Sequence, residues 1–214
     1  MIPKEASIGS VREPILKPVP IAELRPTQIT VGMREVSARR KRWKSQTTGK
    51  QRAAFLQKHL IPVILGSGGR HYILDHHHLV LALHQEGLDE MYVTVVADLS
   101  SLDKKTFWLV LDQRNWMHPF DHNGIRRSYE AIPRNVREMR DDPYRSLAGE
   151  LRRQGGFAKD TTPYSEFLWA DFLRKRIKVR LVEKDFAFAL RSALKLAKGK
   201  EAGYLPGWCG PSEG

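Results

Sequence analysis

The spacing of apolar positions changes several times along the chain, and each change marks an element. From Glu35 to Leu60, Ala53, Ala54, Leu56, Gln57 and Leu60 recur at helical spacing. The turn-forming SQTTGK (Ser45–Lys50) breaks that stretch, which predicts two helices. IPVIL (Ile61–Leu65) is a compact β-branched run closed by GSGGR, and His71–Leu74 is a second strand, so the two predict a hairpin around Gly66–Arg70. A helix follows from His77 to Gly87, with Leu79, Leu81, Ala82 and Leu83 apolar and Gly87 as its C-cap. Met91–Leu99 is a third strand.

Beyond Ser100 the pattern is helical. Ser101–Trp116 opens on a serine cap, residues 133–157 predict two short helices split near Pro143, and Tyr164–Ile177 and Glu183–Gly199 are amphipathic. The expected organisation is α+β. An extended proline-containing arm (1–20) leads into an α/β domain (21–100), with Ile21–Leu24 a short strand or turn. A helical region packed on that domain (101–200) and a loose Gly/Pro-rich tail (201–214) follow.

Composition narrows the setting. The 214 residues are 41% hydrophobic, enough for a sizeable core. No run approaches the roughly 20 apolar residues of a membrane span, and no secretory pattern opens the chain. Cys209 is the single cysteine, which excludes an internal disulfide and cysteine-based zinc sites. These features predict a cytoplasmic protein without a membrane partner. The formal charge of +12 favours polyanions. Between Arg34 and Lys58 stand nine Lys/Arg and one acid, Glu35, with Trp43 inside the basic run. That stretch reads either as a phosphate-gripping surface or as a solvated helix face.

All eight histidines lie between His59 and His122. Asp75-His76-His77-His78 stands where a predicted strand meets a predicted helix, the place where a helix N-terminus offers free amides to an anion. Asp75 reads either as part of that site or as a plain N-cap, and not all three histidines can face one ligand. A metal reading combines Asp75 with His118 and His122, whose H-x-x-x-H spacing in HPFDH places two ligands on one helix face with Pro119 as first helical residue. GSGGR is a hairpin loop or a phosphate cradle. In DDPYRSL, Asp141, Asp142 and Arg145 read either as site carboxylates with a phosphate-binding arginine or, the favoured reading for Asp142, as the cap of a helix that begins at Pro143, with Tyr144 and Arg145 open as site candidates. Asp171 and Arg174 read as a helix-surface pair. P-loop, dinucleotide and nucleophile-elbow motifs are absent from the sequence.

Taken together, Pro26-Thr27-Gln28, the basic helix, IPVIL and YILDHHHLVLALHQEGLDEMYVTVV resemble the ParB/sulfiredoxin-like superfamily. With FW (Phe107–Trp108), DDPYRSLAGELRRQGGF and FLWADFLR, the resemblance is to its bacterial branch labelled putative ParB-like nuclease. It implies a small mixed-sheet domain and a nucleotide phosphate held by the Asp75–His78 box. Related domains bind CTP, transfer phosphate from a nucleotide, use ATP to reduce sulfinylated cysteine, or are described as nucleases. On this resemblance Glu35, Asp75 and His77 are the catalytic candidates. His76, His78, Gln28, Arg34 and Arg145 are the phosphate-binding ones. A nucleotide (ATP, ADP or CTP) and a divalent ion such as magnesium are the implied cofactors, and nucleotide or nucleic acid the partner. The activity expected is nucleotide-dependent phosphoryl transfer or phosphodiester hydrolysis; the alternative is a non-catalytic DNA- or nucleotide-binding module. The chain departs from the related box DGHHR at two places: His76 stands for the glycine, and Leu79 for the phosphate-clamping arginine.

Overall fold

The computed structural model describes residues 17–211. A four-stranded mixed sheet runs in the order β1 (Lys17–Pro20), β5 (Glu90–Asp98), β3 (Ile61–Gly66), β4 (Arg70–Ile73). β3 lies parallel to β5, while β1 and β4 run antiparallel to their neighbours. The hairpin is where GSGGR predicts it, with Gly66 opposite Arg70 and Gly68 and Gly69 both at φ 71°. IPVIL is apolar almost throughout because both faces of β3 are covered. Ile61 and Val63 join one hydrophobic cluster and Ile64 joins another.

The first cluster is roofed by α1 (Met33–Lys44) and α3 (His77–Gln85), through Val36, Trp43, Leu79 and Leu83. Leu79 is therefore a core residue. α2 (Gly49–Gln57) adds Phe55 and opens on a capping box between Thr48 and Gln51. On the other face, α4 (Lys104–Gln113) packs Phe107, Trp108 and Leu111 against Ile64 and Tyr72. A third cluster joins α5 (Pro143–Arg153), α6 (Ser165–Arg174), α7 (Val179–Lys184) and α8 (Phe186–Lys198). The α+β reading thus holds. The two halves are spliced by a parallel pair, β2 (Thr30–Val31) against β6 (Arg140–Asp141).

Several boundaries differ from the sequence reading. Lys17–Pro20 is not arm but the edge strand of the sheet; residues 1–16 of the expected arm lie outside the described residues. Ile21–Glu23 is a 3-10 turn. Asp103, not Ser101, caps α4, accepting from the Lys105 and Thr106 amides. The first of the two helices expected around Pro143 is a 3-10 turn followed by β6. α7 is a separate short helix before α8. The expected loose tail is packed as far as Trp208. Ala202 and Leu205 are buried, Trp169 Nε1 donates to the Pro206 carbonyl at 2.9 Å, and Ala158 N donates to Gly207 O at 2.7 Å. Residues 212–214 lie outside the described ones. Among the described residues no helix is long and apolar enough to cross a membrane.

Candidate functional site

β4 ends at Ile73 and the chain turns through Leu74 and Asp75 into α3. Asp75 is 76% exposed at its side chain and accepts from the His76 amide at 2.6 Å. His76, the residue before α3, adopts φ 71° and ψ 21° and offers no side-chain cap. This is the left-handed conformation that glycine enters without steric cost. His76, which stands where the related box has glycine, thus holds a conformation that glycine adopts freely. Among the described residues, the His77 and His78 amides that open α3 have no hydrogen-bond acceptor.

The three histidines divide into different tasks. His77 Nε2 lies 3.1 Å from the Thr27 amide, which donates to it, while the Thr27 hydroxyl donates to the Ile73 carbonyl at 2.7 Å. Nε2 is therefore an acceptor and the ring proton sits on Nδ1. Burial pushes His77 down to about 3, against the opposing pull of Asp75, so the ring is neutral. His78 Nε2 has two suitors, the Gly32 amide at 3.0 Å and Glu35 Oε2 at 3.1 Å. A single ring nitrogen accepts from one or donates to the other, not both. Burial first, then Arg145, also lowers His78 to about 3, which makes the amide the natural partner.

Glu35, in the first turn of α1, is held by Arg153 Nη1 at 3.1 Å and faces Arg145 Nη1 at 3.3 Å. Burial alone would raise its carboxyl; Arg145, His78 and Arg153 outweigh that and set it below its usual range. Arg145, on α5, is 8% exposed. Its Nη1 is close enough to Glu35 for charge pairing but not aligned for a hydrogen bond, and neither Nη1 nor Nε has an acceptor among the protein atoms. Its Nη2 stands 3.8 Å from Glu166, which Arg152 takes at 2.5 Å, and its guanidinium lies over the Phe167 ring. The close approach of α1 and α5 depends on glycine at two points. A Cβ on Gly149 would collide with the Glu35 carboxylate, and one on Gly32 would sit 2.8 Å from the Ser146 amide nitrogen.

These groups wall a cavity of about 300 Å³ between the sheet domain and the helical half. Leu74, Asp75, His77 and His78 form one side, Arg145, Tyr164, Glu166 and Phe167 the other, and Gln28 and Asn115 close the ends. His76, Asn115 and Tyr164 are the three non-glycine residues at positive φ among those described; two line this cavity and His76 sits in its rim turn. Backbone strain gathers at functional sites because surrounding contacts must hold it there.

A family model described as putative ParB-like nuclease matches residues 17–175, which span both walls. The chain belongs to that family. The crystal structure of protein Atu1540 from Agrobacterium tumefaciens is similar, with 49% sequence identity and a TM-score of 0.85 over 92% of this chain and 99% of that one. No curated protein matches.

Within this ParB-like frame the sequence candidates separate. Asp75, His77, His78, Gln28 and Arg145 meet at the cavity. Gln28 is buried, and its amide nitrogen donates to Thr30 O at 2.7 Å. Glu35 lies behind His78 and Arg145 rather than in the cavity wall. Arg34 is elsewhere: its guanidinium covers the Phe186 ring at 3.9 Å, in a cleft with Asp141 and Glu183. The proposed metal set does not assemble. HPFDH is loop rather than helix. His118 is packed among Phe120, Tyr164 and Phe167, His122 is exposed on a turn, and no three His, Cys, Asp or Glu side chains among the described residues form a ligand group. Asp142 caps α5 as expected. It also receives Arg174 at 2.6 Å, so Arg174 is more than half of a surface pair. Sequence reasoning missed Asn115, Tyr164 and Glu166. Tyr164 and Asn115 carry no composition signal, and Glu166 resembles any first-turn acid.

Proposed function

We propose that this ParB-like protein binds a nucleotide or other phosphoester in the cavity at the box. Arg145 and the open amides of His77 and His78 hold the phosphate. The observation that supports this reading is Arg145, a buried guanidinium whose Nε and Nη1 have no protein acceptor at a cavity wall. Such donors cost about 1–3 kcal/mol each when left unmade, and a small turn of the guanidinium towards a phosphate oxygen would satisfy them. Arg145 thereby takes up, from α5, the role of the box arginine that Leu79 replaces. Phe167, Tyr164 and Leu74 give the remaining wall an apolar face for a base or sugar.

For chemistry on that phosphate, Asp75 is the carboxylate of the wall that carries no arginine partner, and it is open to solvent. It is the residue we assign as acid/base, or as the carboxylate that meets a magnesium ion carried in by the phosphates. Such an ion would supply charge neutralisation at the phosphoryl oxygens. His77 and Glu35 position the site: one pins the box to Thr27, and the other holds Arg145 and Arg153. Family membership favours nucleic acid as the partner class and phosphodiester hydrolysis as the reaction; phosphoryl transfer is the second reading, favoured by the cavity's modest volume.

Thermal shift with ADP, ATP and CTP, with and without magnesium, tests binding. Stabilisation of several degrees is expected for wild type and is lost in Arg145→Lys, which keeps the charge but not the fork of donors. No shift with any nucleotide or with inorganic pyrophosphate overturns the reading. Plasmid incubated with magnesium or manganese tests hydrolysis: cleavage that survives Asp75→Asn removes Asp75 from it.

A further inference from the structure

The GSGGR hairpin carries a second concave feature, separate from the box. A cavity of about 280 Å³ is lined by Arg25, Ser67, Arg70, Tyr72, Lys104, Phe107 and Arg134. Four of these are cations from four different segments, and none is a carboxylate. Arg25, Lys104 and Arg134 form no ion pair among the described residues, and Arg70 bonds only the Ser67 carbonyl, at 3.1 Å. Glu130, exposed on the neighbouring 3-10 turn, feels Lys104 but neither lines the cavity nor pairs with it. Tyr72 is 8% exposed and lines this cavity with no hydrogen-bond partner for its hydroxyl among the described residues. Its ring lies against Gly66, where a Cβ would come within 2.6 Å of it, so glycine at that point of β3 is a condition of the cavity's shape.

Unpaired like charges gathered in one concavity repel one another, and an anion relieves that repulsion. We propose that Arg25, Arg70, Lys104 and Arg134, with the Tyr72 hydroxyl, form a second phosphate-binding site that takes backbone phosphates of a nucleic-acid strand or a free oligophosphate. Its placement relative to the box follows from two elements that lead from one cavity to the other. Arg70 and Tyr72 of β4 line the hairpin cavity and Leu74, just past its end, the box cavity; Tyr72 and Leu74 pack on the same hydrophobic cluster, and the run spans roughly 13 Å. Along α4, Lys104 lines the first and Asn115, just past its end, the second, over roughly 16 Å. A single strand a few nucleotides long reaches both. That last consequence rests on the box reading; the second site itself does not.

Arg70 and Arg134 are exposed, so Arg70→Ala with Arg134→Ala leaves the core intact. Fluorescence anisotropy with a labelled oligothymidylate is expected to show binding weakened about tenfold. The slope of log affinity against log salt should fall by about 1.4, the share of two released counterions. Competition by inorganic tripolyphosphate distinguishes the two sources. A double variant that loses only tripolyphosphate marks a free-oligophosphate site, and one that loses both marks the strand-binding site. Arg191→Ala with Lys195→Ala, two exposed cations on α8, controls for net charge and should cost less than about twofold. Equal losses in the two double variants, or a first variant that keeps both oligothymidylate and tripolyphosphate binding, overturn the proposal. The ADP shift at the box should be unchanged in Arg70→Ala/Arg134→Ala. Its absence from wild type would count against the box alone.

Discussion

Two helix N-termini stand side by side in this molecule, and they are finished in opposite ways. At α1 the first three amides, those of Gly32, Met33 and Arg34, are each taken by a side chain from elsewhere. His78 Nε2 accepts from Gly32, Asp141 from Met33 at 2.8 Å, and Ser146 from Arg34 at 3.2 Å. An acid, Glu35, also sits in the first turn, where it meets the positive end of the dipole. At α3 the first helical turn carries no acid and the helix has no side-chain cap, and the first two amides stay open beside a cavity with an under-bonded arginine. The contrast teaches why one terminus is architecture and the other a candidate for an anion: the first is already satisfied by protein, the second is not.

Removing Arg145 is the harshest way to break that contrast. Arg145→Ala should abolish phosphate binding and cost about 1–3 kcal/mol of stability, because Glu35 loses one countercharge and keeps Arg153. Calorimetry with pyrophosphate and a thermal melt check both. Arg145→Lys should keep most of the stability and lose the binding.

Acid should come next. His77, His78 and His118 are each held down to about 3 by burial, so between pH 6.5 and 3 the unfolded chain binds protons that the folded one refuses. Stability therefore falls as pH drops below 6.5, by about 1.4 kcal/mol per histidine per pH unit. Glu35, set below its usual range, adds to the loss only below about pH 4.5. Chemical denaturation from pH 7 to 5 should show the decline; a flat profile would mean that these rings are not buried as described.

Gly149→Ala should cost about 1–3 kcal/mol by driving a methyl into Glu35 and separating α1 from α5. Asp141→Ala should cost about 1 kcal/mol at the α1 terminus and leave nucleotide binding unchanged. The smallest effect has the opposite sign. His76→Gly releases a left-handed residue and should stabilise by up to about 1 kcal/mol in denaturant titration.

The elements whose logic is local were legible in the sequence. IPVIL, the GSGG turn, the break at Ser45–Lys50 and the Asp142-Pro143 helix start are each written in neighbouring residues, and each forms as read. Lys17–Pro20 was not, because an edge strand of four residues with two prolines is created by its pairing with β5 rather than by its own pattern. The Gly/Pro-rich tail misled for a similar reason: Leu205 and Pro206 are ordered by Trp169, 37 residues away in sequence. At the site, the box itself was visible, and so was Arg145 as an open candidate. That Glu35 belongs to an ion network behind the cavity, that Arg34 faces another cleft, and that Tyr164 and Glu166 complete the wall are facts of how α5 and α6 dock on α1 and α3. No local spacing encodes that docking.

On this contrast the anion goes to α3 and not to α1. A crystal structure of the protein with inorganic pyrophosphate tests it most directly. Phosphate oxygens are expected within hydrogen-bond distance of the Arg145 guanidinium and the His77 and His78 amides, with the Gly32–His78 and Met33–Asp141 contacts of α1 retained. Pyrophosphate seated at the α1 terminus, or bound elsewhere while the Arg145 cavity holds none, would contradict it.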